Sequence, residues 1–598
     1  MRKLEHFSSL VAMFLARASE QGDAPFLWHK AGGAWVPQSW REVARQVASL
    51  AAGLQAIGVK PGDRVMLVSE NRPEWCISDL AIMAAGGVTV PTYTTNTERD
   101  HAHIIENSGA SAVIVSSAKL AKTLLPAVIR SSTIRAVICI DEVRPSQTGT
   151  LAFYRWGGLI AAHDSAPETI ATLNGGKATR DDTACIIYTS GTGGAPRGVM
   201  QHHGAILHNV AGTSAIISED FGWDDEVFLS FLPLSHAYEH TAGQHLPIGL
   251  GGQIYYSEGI EKLAANIAEV RPTIMVVVPR LFEVLRARIT KDVEKKGGIA
   301  PWLLERAQAI GTKRYQGKST LLDKPVDLLL NATLRPKVAQ RFGGRIKAMV
   351  SGGAPLTPEV GVFFQSLGIA FLQGYGQTES GPVVSCNRPA AGLAMDTVGP
   401  PLGATEVRIA GDGEILVRGE LVMHGYWRNP EESARVLQDG WLHTGDIGLI
   451  DEKGRIRITD RKKDIIVNDK GENVAPQKVE GMLTLQPEIA QAMIYGDRKP
   501  YMVALIVPDP EWTQQWCAMN GDPCNFMRLA ENSEYRTIIG QAVERVNRDL
   551  SVTERIRRYV LAEAPFSIEN EQLTPSLKIR RHVLRDVYGE RLDALYRS

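Results

Sequence analysis

Long apolar runs are missing from this chain. No stretch approaches the about 18 consecutive apolar residues that a bilayer-spanning helix needs, so no transmembrane helix is expected. An excess of one charge is missing too. The 65 Lys+Arg and 66 Asp+Glu residues leave a formal net charge of −1, which gives no electrostatic basis for binding nucleic acid. Cysteine is scarce. Cys76, Cys139, Cys185, Cys386, Cys517 and Cys524 lack metal-ligand spacing, several sit in apolar runs, and all six read as reduced structural thiols of a cytoplasmic protein. A signal-peptide pattern is not seen, since an acid and an amphipathic helix over 10–18 come at once. Internal repeats and low-complexity tracts are absent, and so is any Ser-His-Asp or Cys-His set for nucleophilic catalysis.

What is present is ordinary globular material in quantity. The 598 residues exceed the usual single-domain size, so two or more domains are expected. Strand-like runs at 64–69, 86–91, 112–116 and 136–141 alternate with helical patterns at 36–59 and 75–85. That alternation predicts parallel sheets in an α/β arrangement. After about residue 464 come strand-like runs at 465–467, 490–494 and 502–507, followed by helical sequence to the end.

The segment that organises the rest is Ile186–Met200, Ile-Ile-Tyr-Thr-Ser-Gly-Thr-Gly-Gly-Ala-Pro-Arg-Gly-Val-Met. A buried strand over 184–187 runs into a loop rich in Gly, Ser and Thr. Glycines there let backbone N–H groups turn inward, the hydroxyls of Thr189, Ser190 and Thr192 add donors, and Arg197 adds a permanent positive charge. Such a loop suits a polyphosphate. It is not the familiar G-x-x-x-x-G-K-[ST] loop, because Gly193 and Gly198 are followed by Gly194 and Val199.

Further along, Lys347–Val350 reads as a strand entering Ser351-Gly352-Gly353-Ala354-Pro355, and Gln373-Gly374-Tyr375-Gly376-Gln377-Thr378-Glu379 follows some twenty residues later. In an open α/β sheet ligands sit beyond the carboxyl ends of strands. Two glycine-bearing strand ends suit a flat base, with Tyr375 able to stack. Phe228–Glu239 contains Pro-Leu-Ser-His-Ala-Tyr-Glu, and Trp441–Asp446 ends in Thr-Gly-Asp before Asp460-Arg461-Lys462-Lys463-Asp464. Near the end stands Leu-Thr-Pro-Ser-Leu-Lys-Ile-Arg-Arg, residues 573–581.

Taken in chain order, these motifs resemble the signatures of the acyl-adenylate-forming enzymes over nearly the whole chain, and Asn71–Trp75 and a helical insert resemble the long-chain fatty acyl-CoA synthetases among them. Gly193 replaces the usual Thr, Arg197 the usual Lys, and His240 a frequent Arg. The resemblance implies a large multilayered α/β N-terminal domain (1–462) and a small mobile α+β C-terminal domain (463–598). It implies that Thr189, Ser190, Gly191, Thr192, Gly193 and Arg197 hold phosphates, and that Gly352, Gly353, Ala354, Pro355, Gln373, Gly374, Tyr375 and Gly376 line the adenine. Thr378 would touch phosphate, Glu379 hold Mg²⁺, and Asp446 with Arg461 hold the ribose. His236 would stand between acyl pocket and nucleotide, Lys463 act as hinge, Gly471 line the pantetheine channel, and Lys578 promote adenylation.

The activity implied is ATP-dependent conversion of a medium- or long-chain fatty acid to acyl-AMP, then to a coenzyme A thioester. Two other functions fit the motifs: an acyl-AMP ligase serving a carrier protein, and an inactive nucleotide-binding regulator at a membrane. Intact Glu379, Asp446, Arg461 and Lys578 disfavour the regulator. With the chain stopping at Ser598, no carrier or reductase domain is expected. Peripheral contact with a membrane surface and a homodimer are allowed for, while Trp302, Leu303 and Leu304 are expected to pack rather than dip into a bilayer.

Overall fold

The structure is a computed structural model, and it describes residues 3–143, 151–189, 195–354, 356–462, 464–574 and 579–597. Strands Val88–Pro91, Ala112–Val115 and Ala136–Cys139 are each four consecutive buried residues. Such continuous apolar runs are what a parallel sheet covered on both faces requires. They join Arg64–Val68, Ala152–Arg155, Thr183–Thr189 and Arg197–His202 in a seven-stranded sheet, parallel except for its last hairpin. A second, eight-stranded sheet has Ile274–Val277, Ala348–Ser351 and Phe371–Tyr375 side by side and parallel, with Val277, Ser351 and Gln373 in register. Between the two sheets Trp40, Phe14 and Phe26 form the heart of the largest core, the Phe26 and Trp40 rings stacking at 3.6 Å.

A third, five-stranded antiparallel sheet includes Glu414–Arg418, Trp441–Ile450 and Ile456–Arg461. The smaller C-terminal unit is built on Ile489–Tyr495, Met502–Pro508 and Ile556–Leu561. Alternate residues of its central strand face opposite ways, as a period of two demands. Ala504 and Ile506 pack with Val479, Tyr535 and Ile539, whereas Val503 and Leu505 pack with Leu584, Tyr588 and Leu592.

Four sequence expectations are corrected. The helix predicted from residue 36 starts at Trp40, because Ser39 and Glu42 form a capping box, and Ala34–Ser39 is a strand instead. After residue 508 the chain does not stay helical. Ile556–Leu561 returns as a strand parallel to Met502–Pro508, its alternation hidden by Arg557 and Arg558. The six cysteines are not all reduced: Cys517 and Cys524 form a disulfide, and the other four are free and buried. Helix Pro510–Asn520 ends at Gly521 in the left-handed conformation, φ 64°, and this turn brings Cys524 back to a Cα separation of 5.6 Å from Cys517. Leu303 and Leu304 pack in the core, but Trp302 is partly exposed. No helix among the described residues is long and apolar enough to cross a membrane.

Candidate active site

The Gly-, Ser- and Thr-rich loop joins two antiparallel strands, not a strand and a helix. Thr183–Thr189 pairs with Arg197–His202, Thr189 lying opposite Arg197. Ser190, Gly191, Thr192 and Gly193 lie outside the described residues, as do Pro355, Lys463 and Lys578. The hairpin's outer strand is tied to the chain at 424–427. Met200 N–H donates to Gly425 O, and Trp427 N–H donates to Gly198 O. Gly198 has no alternative here, because a Cβ would come within 2.7 Å of the Ile186 side chain. Gln201, wholly buried, donates from Nε2 to Thr378 O at 2.7 Å and so fixes the turn that carries Glu379.

A cavity of about 1760 Å³ opens beyond the carboxyl ends of the parallel strands. One end is polar. Gln373 lines it with a buried Oε1 that has no hydrogen-bond partner, a geometry suited to an amino group on a planar base. Gly352, Gly353, Ala354, Gly374, Tyr375 and Gly376 line the same end. Gly376 is required by close approach, since a Cβ would stand 1.8 Å from Pro382 O. Asp446 is 3% exposed and is held from two sides: Tyr375 Oη donates to Oδ2 at 2.7 Å, and Arg461 Nε lies 3.1 Å from Oδ1. The strand register sets this pair, Asp446 facing Arg461 across the antiparallel ladder. Burial pushes the Tyr375 phenol far up, so it remains a donor. Tyr375 therefore spends its hydroxyl on Asp446, a role the sequence reading did not give it.

Acids and bases also alternate around Glu379 and Arg197. Tyr426 Oη donates to Glu379 Oε1 at 2.8 Å, the Arg197 guanidinium lies 4.7 Å over the Tyr426 ring, and Arg197 pairs with Glu432. Arg435 shares Glu432 through a bond of 2.7 Å from Nε. The Arg435 hydrogen bonds first, with Arg197 beside them, hold the Glu432 carboxyl down to about 2. Tyr426 and Glu432 were missed in the sequence, where Gly425-Tyr426-Trp427 offers no spacing that marks one aromatic from the next.

The other end of the cavity is apolar, lined by Ile216, Phe221, Leu246, Ile274, Ala348 and Leu372. His236 also lines the cavity. It caps the short helix Ala237–Glu239, its Nδ1 accepting from Tyr238 N–H at 3.2 Å, and its ring is 6.5 Å from that of Tyr93. Thr189, Arg197, Thr378, Glu379, Asp446 and Arg461 all line the cavity. Gly471 does not: it sits in a turn at φ 79°, its N–H donating to Asn468 O. Thr574, Ile579 and Arg580, which flank 575–578, do line it.

The pattern of the AMP-binding enzyme family matches residues 14–427, and that of its C-terminal domain matches residues 463–598. A long-chain-fatty-acid–CoA ligase of Mycobacterium bovis is 32% identical over 99% of this chain and 97% of its own length. Long chain acyl-CoA synthetase 1 of Arabidopsis thaliana is 30% identical over 100% of this chain and 92% of its own. Among solved structures, the A domain of a carboxylic acid reductase from Segniliparus rugosus, in complex with AMP and a co-purified carboxylic acid, superposes with a TM-score of 0.76. At 21% identity, over 99% of this chain and 94% of that one, it supports the fold alone. On these grounds the chain belongs to the AMP-binding enzyme family, the acyl-adenylate-forming enzymes.

Proposed function

We propose that the protein activates a medium- or long-chain fatty acid with ATP and passes the acyl group to coenzyme A, releasing pyrophosphate and then AMP. The observation that carries this reading is a cavity lined both by the polar Gln373, Asp446 and Arg461 and by the apolar Ile216, Phe221 and Leu372; His236, also on its lining, would stand between acyl pocket and nucleotide. A carboxylate resists thiol attack because it is anionic and lacks a leaving group. Its oxygen attacks the α-phosphorus, the bond to the bridging oxygen breaks, and pyrophosphate leaves. The thiolate of coenzyme A then attacks the acyl carbon and AMP leaves with the electron pair of the broken C–O bond. Both steps gather charge on oxygens, which fixed donors stabilise.

Asp446 has lone pairs left for ribose hydroxyls after Tyr375 and Arg461 are counted. Arg197 is the phosphate-end cation, and Arg435 keeps Glu432 paired when Arg197 turns to the ligand. Mg²⁺ would be held by Glu379 beside the phosphates, and a half-buried carboxylate fits a hard cation. When bound, it neutralises phosphate charge. Residues 463–598 act as a mobile domain hinged at Lys463 that delivers Lys578 for adenylation. Support comes from Thr574 and Arg580, which bring that loop's two ends to the cavity. Gly471 reaches the thioester channel only after rotation.

The proposal extends to a cytoplasmic enzyme that touches a membrane surface peripherally. Leu321, Leu322 and Leu328, 76%, 87% and 71% exposed, supply the apolar surface, with Lys318 and Lys324 beside them. A homodimer through this face is the competing occupant; vesicle flotation with and without L321D/L322D, against size-exclusion chromatography, separates the two. The activity itself is tested by a panel of acids from acetate to arachidate with ATP and coenzyme A, following AMP. Turnover confined to short acids, or none, would refute it.

A further inference from the structure

Behind the apolar arm lies a polar cluster that the proposed reaction does not use. Ala242 and Leu246 line the cavity, and on the opposite side of the same segment His240 and His245 meet Asp79 of helix Pro73–Ala84. All three are fully buried, as is Gln244. Local backbone makes the meeting possible. Residues 240–245 form a π-helical turn, whereas in an α-helix side chains five apart point about 140° from one another. The wider turn swings His245 back beside His240.

The donor atoms form a triangle. His240 Nε2 is 2.9 Å from Asp79 Oδ2, His245 Nε2 is 3.2 Å from His240 Nε2, and His245 Nε2 is 3.6 Å from Asp79 Oδ2. A tetrahedral ion with bonds of about 2.0–2.1 Å sets its ligand atoms ~3.3 Å apart, so the triangle has the dimensions of one face. Both imidazole Nε2 atoms face the same carboxylate oxygen, Asp79 Oδ2. Asp79 Oδ1 and Gln244 Oε1 are buried without hydrogen-bond partners. A carboxylate in the core is costly unless a cation balances it.

We propose that Asp79, His240 and His245 bind one divalent transition-metal ion of the zinc class, with the side-chain carbonyl of Gln244 as fourth ligand. Gln244 Nε2 lies 2.8 Å from Asp79 Oδ2; turning the amide over puts Oε1 there, an assignment that amide groups allow. Two nitrogens and two oxygens select a borderline ion over Mg²⁺, so this site is distinct from Glu379. Full enclosure makes it structural: it pins helix Pro73–Ala84 to the segment that follows His236.

The test is metal content of the full chain, which does not depend on activity. Protein from medium supplemented with Zn²⁺ is washed with chelator, and bound metal is measured by mass spectrometry; a parallel Co²⁺ culture is read by visible absorption. One ion per chain and the d–d bands of tetrahedral Co²⁺ are expected. His245→Gln should lower bound metal by at least about tenfold. His240→Arg should do the same yet stay folded, because its guanidinium still pairs with Asp79. Wild-type protein that folds without stoichiometric Zn²⁺ or Co²⁺ overturns the proposal, and so does metal content unchanged in both variants.

Discussion

Replacing Asp446 by Asn probes the nucleotide end most sharply. Asp446 accepts from Tyr375 Oη at 2.7 Å and stands 3.1 Å from Arg461 Nε, and its remaining lone pairs face the cavity. Asn keeps one oxygen but puts an NH₂ where one of these donors, or a ribose hydroxyl, needs an acceptor. Hydrogen bonds to a charged group contribute ~1.5–3 kcal/mol each. Losing the equivalent of one should raise the KM for ATP roughly ten- to hundredfold, with the KM for the acid little changed. Tyr375→Phe leaves the carboxylate and removes only the hydroxyl that orients it. That costs ~0.5–1.5 kcal/mol, or about two- to tenfold. Pyrophosphate release against ATP concentration measures both, and calorimetric ATP titration checks that affinity, not chemistry, has moved. If D446N binds ATP as tightly as wild type while keeping its melting temperature, Asp446 does not hold the nucleotide and the site has been read backwards.

Three further predictions follow from other parts of the cavity. Ala348→Phe adds a ring inside the apolar arm, so kcat/KM should shift from palmitate toward hexanoate; an unchanged ratio means that acids do not lie there. Lys578→Ala should cripple acyl-AMP synthesis, by about a hundred- to thousandfold if one preorganised donor is lost, yet leave supplied acyl-AMP reacting with coenzyme A, and equal loss in both half-reactions would remove its special role. Burial first, then Asp464 and Glu480, push the Asp460 carboxyl up to about 6. The folded form then binds more protons than the unfolded one, whose pKa is ~3.9, so this group's contribution to stability falls as pH rises from about 4 to about 6. In Asp460→Asn the melting temperature should therefore drop less across that window than in wild type; parallel curves would contradict the assignment.

Much of this architecture was legible because it rests on patterns that a linear chain displays. Val65–Val68 and Val88–Pro91 are wholly buried apolar runs bounded by polar turns, and they sit where the alternation puts them. Gly352 and Gly376 mark real close approaches, to the Tyr238 ring and to Pro382 O. What stayed hidden depends on the third dimension. Tyr426 and Glu432 reach Glu379 and Arg197 because Met200 pairs with Gly425, and Trp427 with Gly198, across more than two hundred residues. Tyr375 looked like a stacking ring until the sheet register put Asp446 against its hydroxyl. The cluster of Asp79 with His240 and His245 needs a π-helical turn that no periodicity announces. Gly471 sits instead in a turn closed by its N–H on Asn468 O, away from the cavity.

The central claim is that one cavity makes an acyl adenylate and then spends it on a thiol. A single-turnover experiment tests it directly. Enzyme in excess over ATP is mixed with Mg²⁺ and palmitate without coenzyme A, quenched, and analysed by mass spectrometry, after which coenzyme A is added to a parallel sample. Palmitoyl-AMP should form in step with pyrophosphate, persist, and convert to palmitoyl-CoA and AMP on addition of the thiol. Formation of ADP and phosphate, or of palmitoyl-CoA with no palmitoyl-AMP before it, would contradict the account.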